Sequence, residues 1–394
     1  MINIDLKECS GCGACAQVCP RHCIDMKDDI NGFIMPTVNA NKCVDCGLCN
    51  KVCQIISNSD KSNDARAYAV VAKEKSILSN STSGGMFSLL AKYVIAKHGC
   101  VYGCAYDQEL KPHHIRIDVI TDLYKLNGSK YVQSFTDSTY IQVKHDLNNG
   151  LMVLYSGTPC QIEGLKLFLD KKYDNLITVD VICHGVPSYS YFKKYIDYFS
   201  NEHNIKLSDF QFRSKDNGGW SLSGIYRGID TKSGKNVKKP FYYFNSYYFY
   251  YFLEGAIYRE SCYTCKHASL LRPGDFTLGD FWGAEGCGLG FDTSNGCSLV
   301  LVNTYKARKI MDSLDMFSKK ITLEEATRYN KQLREPSSKP DIREELLRQY
   351  REISASETQR FFRKKFKKAR IIGKVKYSIP KSIRNYLQKI RYKK

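Results

Sequence analysis

Cys9, Cys12, Cys15 and Cys19, the last followed by Pro20, stand in a C-x2-C-x2-C-x3-C run, and Cys43, Cys46, Cys49 and Cys53 repeat the spacing. Three thiolates two residues apart wrap one face of an iron-sulfur cubane, while the fourth, at the start of a short helix, reaches the other cluster of a pair. On that logic Cys9, Cys12, Cys15 and Cys53 hold one 4Fe-4S cluster, and Cys43, Cys46, Cys49 and Cys19 hold a second. Gly11, Gly13 and Gly47 suit this chemistry, because residues without a Cβ let backbone amides turn toward sulfur. Zinc is the competing occupant, but its four ligands per ion arrive in two-and-two spacing, which a triplet plus one, repeated twice, explains poorly. Cys23 is left over and is expected to be a packed thiol. The C-x3-C-x2-C spacing of radical enzymes is absent from the chain.

The twice-repeated run is the pattern of bacterial two-cluster ferredoxins. Four cysteines beyond it also occupy site-like positions. Pro159 fits the opening of a helix, which puts Cys160 in its first turn, where amides and the helix dipole favour thiolate. Cys183 ends an apolar run, and Cys262 and Cys265 supply a C-x2-C bite. Cys160, Cys183, Cys262 and Cys265 can be a third cluster, a structural zinc, or a redox pair with two unrelated core cysteines, and spacing does not separate these. Cys100, Cys104, Cys287 and Cys297 lie in apolar or Gly-rich contexts and read as packed thiols. Ser81-Thr82-Ser83-Gly84-Gly85 precedes a helical pattern; it is a phosphate seat or a plain N-cap with a turn. Gly286, Gly288 and Gly290 alternate without the full dinucleotide fingerprint, and no Walker loop is present. Asp275 and Asp280 sit in two turns around a strand, where ordering the turns is the commoner role.

The elements that must position these residues follow from periodicity. After the polar stretch 57–64, residues 67–72 and 100–106 read as strands and 86–97 as a helix stopped by Gly99. Residues 151–155 and 176–182 are apolar runs of buried-strand length, each followed by a turn and a helix pattern. Strands alternating with helices argue an α/β domain with parallel strands, so Cys160 and Cys183 would share the carboxyl edge of one sheet. The aromatic run 241–252 reads as a core helix whose tyrosines could also line a planar pocket, and 306–353 reads as helices of mixed charge.

The chain has 394 residues, 43% hydrophobic and 25% charged, which excludes disorder as the dominant state. Its 59 basic and 40 acidic residues leave +19, but 358–394 carries 15 Lys and Arg and no acid, so the rest is 44 − 40 = +4. A basic tail, unlike a basic face across the fold, does not point to nucleic acid. No signal-peptide pattern and no apolar run of about 18 residues occurs. The expectation is a cytoplasmic protein, peripheral at the inner face of the cell membrane if the tail binds there. Phe362, Phe366, Ala369 and Ile372, and then Ile383, Leu387 and Ile390, recur at helical spacing among lysines, as in an interfacial helix. A solvated tail and RNA contact are the competing readings.

The chain resembles the coenzyme F-420 hydrogenase/dehydrogenase beta-subunit family. The match lies in Thr82 to Gly85, Gly128-Ser129-Lys130-Tyr131-Val132-Gln133-Ser134, Gly157-Thr158-Pro159-Cys160-Gln161, Asp180-Val181-Ile182-Cys183-His184-Gly185, Cys262-Tyr263-Thr264-Cys265 and Leu278-Gly279-Asp280-Phe281-Trp282-Gly283. The resemblance, which covers residues 1–305, implies a ferredoxin-like α+β domain (1–57) and a mixed α/β domain binding FAD and iron-sulfur (66–305); charge and periodicity add C-terminal helices (306–357) and a helical basic tail (358–394). It implies an FAD and 4Fe-4S dependent oxidoreductase passing electrons between clusters, FAD and a two-electron substrate, and it favours a third cluster over zinc. Ser83, Gly84, Gly85, Gly128, Ser129, Lys130 and Gln133 become the expected flavin contacts, with Lys130 able to meet a phosphate or the reduced ring. His184 is the nearest proton donor, or else a hydrogen bond to a cluster sulfur. A soluble ferredoxin or reduced deazaflavin is the implied redox partner, acting with an unidentified small-molecule substrate, and surface-polysaccharide assembly is the implied setting. The alternative function is a ferredoxin-type relay serving a separate catalytic partner.

Overall fold

The structure is a computed structural model that describes residues 2–59, 61, 64–216, 220–380 and 383. Leu387 and Ile390 therefore lie outside the described residues. In the N-terminal lobe, two short helices, Ala14–Val18 and Leu48–Lys51, each follow a glycine in the left-handed region, Gly13 at φ 79° and Gly47 at φ 75°. That conformation folds the cysteine loops back on themselves, and a Cβ would strain it. Strands β1 (Ile24–Asp28) and β2 (Ile34–Val38) close the lobe as an antiparallel hairpin.

The second unit is built on eight strands: β3 (Arg66–Ala72), β4 (Cys100–Tyr106), β5 (Pro112–Ile117), β6 (Val153–Gly157), β7 (Leu176–Val181) and, after the insertion described below, three more. Strands β8 (Ile205–Gln211), β9 (Ser223–Asp230) and β10 (Asn236–Tyr242) form a separate antiparallel sheet, and β11 (Phe276–Asp280), β12 (Ser298–Val302) and β13 (Met316–Ile321) return to the large one. Its order is β13-β3-β12-β11-β7-β6-β4-β5, with β11, β7, β6 and β4 mutually parallel and the flanking pairs antiparallel.

The apolar runs expected of β6 and β7 are buried on both faces, as parallel strands require. Val153 and Tyr155 pack under the helices Thr139–Asn148 and Pro159–Leu169, while Leu154 packs under Met86–Ile95. Pro159 does open its helix, with Thr158 and Gln161 forming a capping box. All four parallel strands consequently deliver their following loops to one edge of the sheet.

Two expectations change. The segment 306–353 is not all helix: β13 lies inside it and pairs antiparallel with β3 along the sheet edge. The charged tail is not a separate amphipathic arm either. Phe362 is fully buried, and Phe362 and Phe366 stack on Tyr250 and Tyr251 of the helix Tyr247–Leu253, while Gly373 lies against Phe244. Those apolar residues face the aromatic core around β8–β10 and not solvent, because burying each such ring stabilises the fold by about 1.5–3 kcal/mol. Among the described residues no helix is long and apolar enough to cross a membrane.

Candidate redox site

The twelve cysteines predicted as ligands fall into three neighbouring sets, and none of the chain's cysteines is disulfide-bonded. The outer set is Cys19, Cys43, Cys46 and Cys49 around a small apolar hollow also lined by Val38 and Leu48, with Cys46 exposed and Cys19 and Cys49 buried. Cys23 stands beside it, its Sγ 3.3 Å from that of Cys19, so the leftover thiol is packed against the ligand set. The inner set is Cys9, Cys12, Cys15 and Cys53, with only Cys12 partly accessible. Burial first, and then the neighbouring sulfurs of this set, push the Cys9, Cys15 and Cys53 thiols up. The Gly11 amide points at the Cys9 sulfur, 3.4 Å away. Cys53 thus lies with the first triplet and Cys19 with the second.

Cys160, Cys183, Cys262 and Cys265 come together as the third set. Burial pushes Cys160 up to about 12 and Cys262 to about 11, and the other sulfurs of the set push further in the same direction; Cys183 is raised by the same two causes. The expectation that a helix start favours thiolate at Cys160 is therefore overturned: desolvation outweighs the helix terminus and the Thr158 hydroxyl 3.1 Å from its sulfur. As thiolates the four sulfurs would repel one another, and a cationic metal centre is the group that relieves this, so the donor set fits a metal centre, iron-sulfur or zinc. Among the described residues no three His, Cys, Asp or Glu side chains are drawn around the point that a single ion would occupy.

The sets are held in series. Gln54, next to Cys53, donates to the Cys160 carbonyl (3.0 Å) and the Ser10 hydroxyl (2.8 Å) and meets His267 Nε2 at 2.7 Å. A Cβ on Gly164, one helical turn beyond Cys160, would stand 3.0 Å from the Cys12 sulfur. Ser59 binds the buried Glu163 carboxylate through both its amide and its hydroxyl, at 2.8 Å each. Asp180, at the end of β7, forms a fully buried ion pair with Arg272 (2.6 Å) and accepts the Gly274 amide (2.7 Å), tying the Cys183 strand to the loop that follows Cys265.

Cys160 and Cys183 also line a cavity of about 550 Å³ at the carboxyl edge of the sheet, within the size range of cofactor sites. Ser83, Gly85, Gly128, Ser129, Lys130, Gln133 and His184 line it as well. Gly84 does not: its amide donates to Ser298 Oγ, and a Cβ there would lie 2.1 Å from the Val70 carbonyl. Lys130 is drawn back, its Nζ donating to the carbonyls of Asn127 (2.8 Å) and Lys125 (3.2 Å), and burial lowers its pKa. Gln133 is committed to the N-terminal lobe, donating to the Ser10 carbonyl at 3.0 Å. His184 is solvent-exposed and forms part of the cavity wall; desolvation by the surrounding protein lowers its pKa, opposed by Asp280. Ser337 donates to its backbone carbonyl, not to the ring.

Arg213, which lines the cavity, and Trp220 beside it carry no signal in the sequence. Arg213 pairs with Asp280 at 2.9 Å and lies over the Trp282 ring, and among the described residues its buried Nη2 has no hydrogen-bond partner. Trp220 stacks on Trp282 at 4.9 Å and donates to Asp280, which turns the second turn carboxylate into a site residue. Cys104, read as a packed thiol, reaches the cavity wall. An unpartnered guanidinium nitrogen, the open space at Gly128 (φ +84°) and apolar walls from Leu126, Phe252 and Leu278 fit a planar, anionic cofactor.

Residues 151–328 match the family model for the C-terminal part of the coenzyme F420 hydrogenase/dehydrogenase beta subunit, and residues 8–55 match the 4Fe-4S dicluster domain. Among solved structures, the F420-reducing [NiFe] hydrogenase complex from Methanosarcina barkeri, studied by xenon derivatization, contains a chain 15% identical to this one. The alignment covers 74% of this chain and 89% of that one, with a TM-score of 0.41. No curated protein matches.

Proposed function

We propose that this chain, a 4Fe-4S dicluster domain joined to a coenzyme F420 hydrogenase/dehydrogenase beta-subunit domain, is an oxidoreductase that carries electrons through three 4Fe-4S clusters to an FAD held in the cavity at Cys160 and Cys183. One observation carries the reading: the third cysteine set faces the inner ferredoxin set on one side and lines the cavity on the other. FAD, when bound, exchanges single electrons with clusters and electron pairs with an organic substrate. Ser83, Gly85, Gly128 and Ser129 would seat it, and the Arg213 Nη2 would meet an acceptor oxygen. His184, next to Cys183, would offer an N–H to the reacting end, with Lys130 as a cation in the same lining. The donor is a soluble ferredoxin or a reduced deazaflavin, and surface-polysaccharide assembly is the setting we associate with it.

Iron, sulfide, zinc and flavin assays on anaerobically purified protein test this. About twelve irons with one FAD support it, and about eight irons without flavin favour a bare relay to a partner enzyme. About eight irons with one zinc remove the third cluster.

We also propose that the protein sits peripherally on an anionic membrane. The side of the helix Lys367–Ser378 that faces away from the aromatic core exposes Ile371, Ile372 and Val375 among Lys367, Lys368 and Lys374. At about 1 kcal/mol per engaged lysine the attachment is weak and reversible.

A further inference from the structure

Arg259 is buried, at 1% exposure, between the inner cysteine loop and the Cys262–Cys265 pair. Its Nε and Nη2 donate to Gln133 Oε1 (3.1 and 2.7 Å), Nη1 to the Cys9 carbonyl (3.1 Å) and Nη2 to the Ile34 carbonyl (2.8 Å), while Phe33 lies 5.3 Å from the guanidinium. Each of these acceptors is neutral, and among the described residues no carboxylate forms an ion pair with Arg259. A buried cation without a counter-charge is strongly destabilising, so the charge that balances it must come from the sulfur sets beside it.

Two further facts point to the inner set. Gly11, between Cys9 and Cys12, leaves the space the guanidinium occupies: a Cβ there would stand 2.7 Å from Nη2. The Cys9 carbonyl that accepts from Arg259 also accepts from Ser261 Oγ at 3.1 Å, which fixes the inner cysteine loop against this arginine. Among the described residues that line the outer hollow the one cation is Arg21, exposed to solvent and therefore screened. Reduction adds one negative charge to a cluster, and an unscreened neighbouring cation favours the reduced form.

We propose that Arg259 is the fixed counter-charge of the inner cluster and holds its reduction potential above that of the outer one, so that electrons entering at the exposed Cys46 edge move inward. For each electron admitted, a one-electron donor protein would be oxidised and the group held by Cys9, Cys12, Cys15 and Cys53 reduced by one electron, to be reoxidised by the next carrier; no proton or bond change is needed. This assignment rests on the two-cluster domain and is independent of the flavin.

The test is an anaerobic redox titration of the whole chain followed by electron paramagnetic resonance. The outer cluster is identified by the relaxation that a soluble lanthanide complex imposes on it. In Arg259→Gln the inner cluster's oxidised-to-reduced ratio at a fixed potential should rise at least tenfold, a downward shift of about 59 mV or more, with the outer cluster unmoved. Arg259→Lys, which keeps the charge, should stay within threefold of the parent. An inner ratio unchanged in Arg259→Gln at full iron content, or an equal shift of both clusters, overturns the proposal. Should Arg259→Gln not assemble the inner cluster, Gln133→Glu decides, because it keeps the arginine and pairs its charge: a fall in the inner potential supports the proposal, and an unmoved potential overturns it.

Discussion

The Asp180–Arg272 pair offers a quantitative test of how the third cysteine set is held. Both side chains are essentially unexposed, and Asp180 accepts from Arg272 Nε (3.0 Å) and Nη2 (2.6 Å) with one oxygen and from the Gly274 amide with the other. With the charge centres about 4 Å apart and an effective dielectric near 20, their attraction is about 4 kcal/mol. Asp180→Asn removes that attraction but leaves Arg272 buried, held by the carbonyls of His267 and Val181 alone, so the loss should be about 3–5 kcal/mol. Asp180→Leu with Arg272→Met removes both charges and should recover most of it. The chain's two tryptophans, Trp220 and Trp282, stack close to this region, so urea unfolding followed by their fluorescence reads the right lobe. Iron content reads the site: Asp180→Asn should lose about four irons per chain while the ferredoxin signals persist. A loss below about 1 kcal/mol, or a double variant as unstable as the single one, would refute the assignment of this pair as the tie between the Cys183 strand and the Cys265 loop.

Gly84→Ala should cost about 3 kcal/mol and release flavin, since its Cβ meets the Val70 carbonyl and the Ser298 amide, neither of which can rotate away. Gly128→Ala, with open space but φ +84°, should cost only about 1–2 kcal/mol, and denaturation midpoints with bound-flavin absorbance compare the two. His114 is buried against Tyr155, and desolvation holds its pKa down at about 4. The unfolded chain binds the proton more tightly, so this contribution is complete above pH 6.5 and is lost as the pH falls through that value toward 4. Stability should drop by roughly 2 kcal/mol between pH 7 and 5 from this residue, measured as the difference in the pH dependence of the urea-unfolding free energy between parent and His114→Phe. Changing Ile371, Ile372 and Val375 to serine should abolish flotation with anionic liposomes at low salt without altering thermal stability; unchanged flotation refutes the membrane reading.

The parts of this structure that are legible in the sequence are those where one local pattern has one solution. The cysteine triplets, the apolar runs of β6 and β7, and Pro159 before Cys160 each specify their geometry without help from distant residues. Strand β13 is hidden because Phe317 is exposed and two lysines follow, and its only ladder partner is β3, some 250 residues earlier by numbering. The tail is amphipathic, as its spacing says, but the spacing does not name its partner: Phe362 and Phe366 fit an aromatic core as well as they fit a lipid surface. The cavity lining divides in the same way. Glycine and serine loops at strand ends announce themselves, while Arg213, Trp282 and Arg259 act through residues far from them in the chain.

Gln54, Ser59 and Gln133 make the N-terminal lobe a wedge seated in the second unit rather than a carrier on a leash. Because Gln54 and Gln133 bond across the boundary beside the cysteines themselves, the spacing between inner and third sets is set by the hydrogen-bond pattern and not by diffusion of a linked module. Transplanting a foreign two-cluster domain onto residues 66–305 should therefore fail electrically even where it folds, unless Ser10, Gly11 and Gln54 travel with it as the connector.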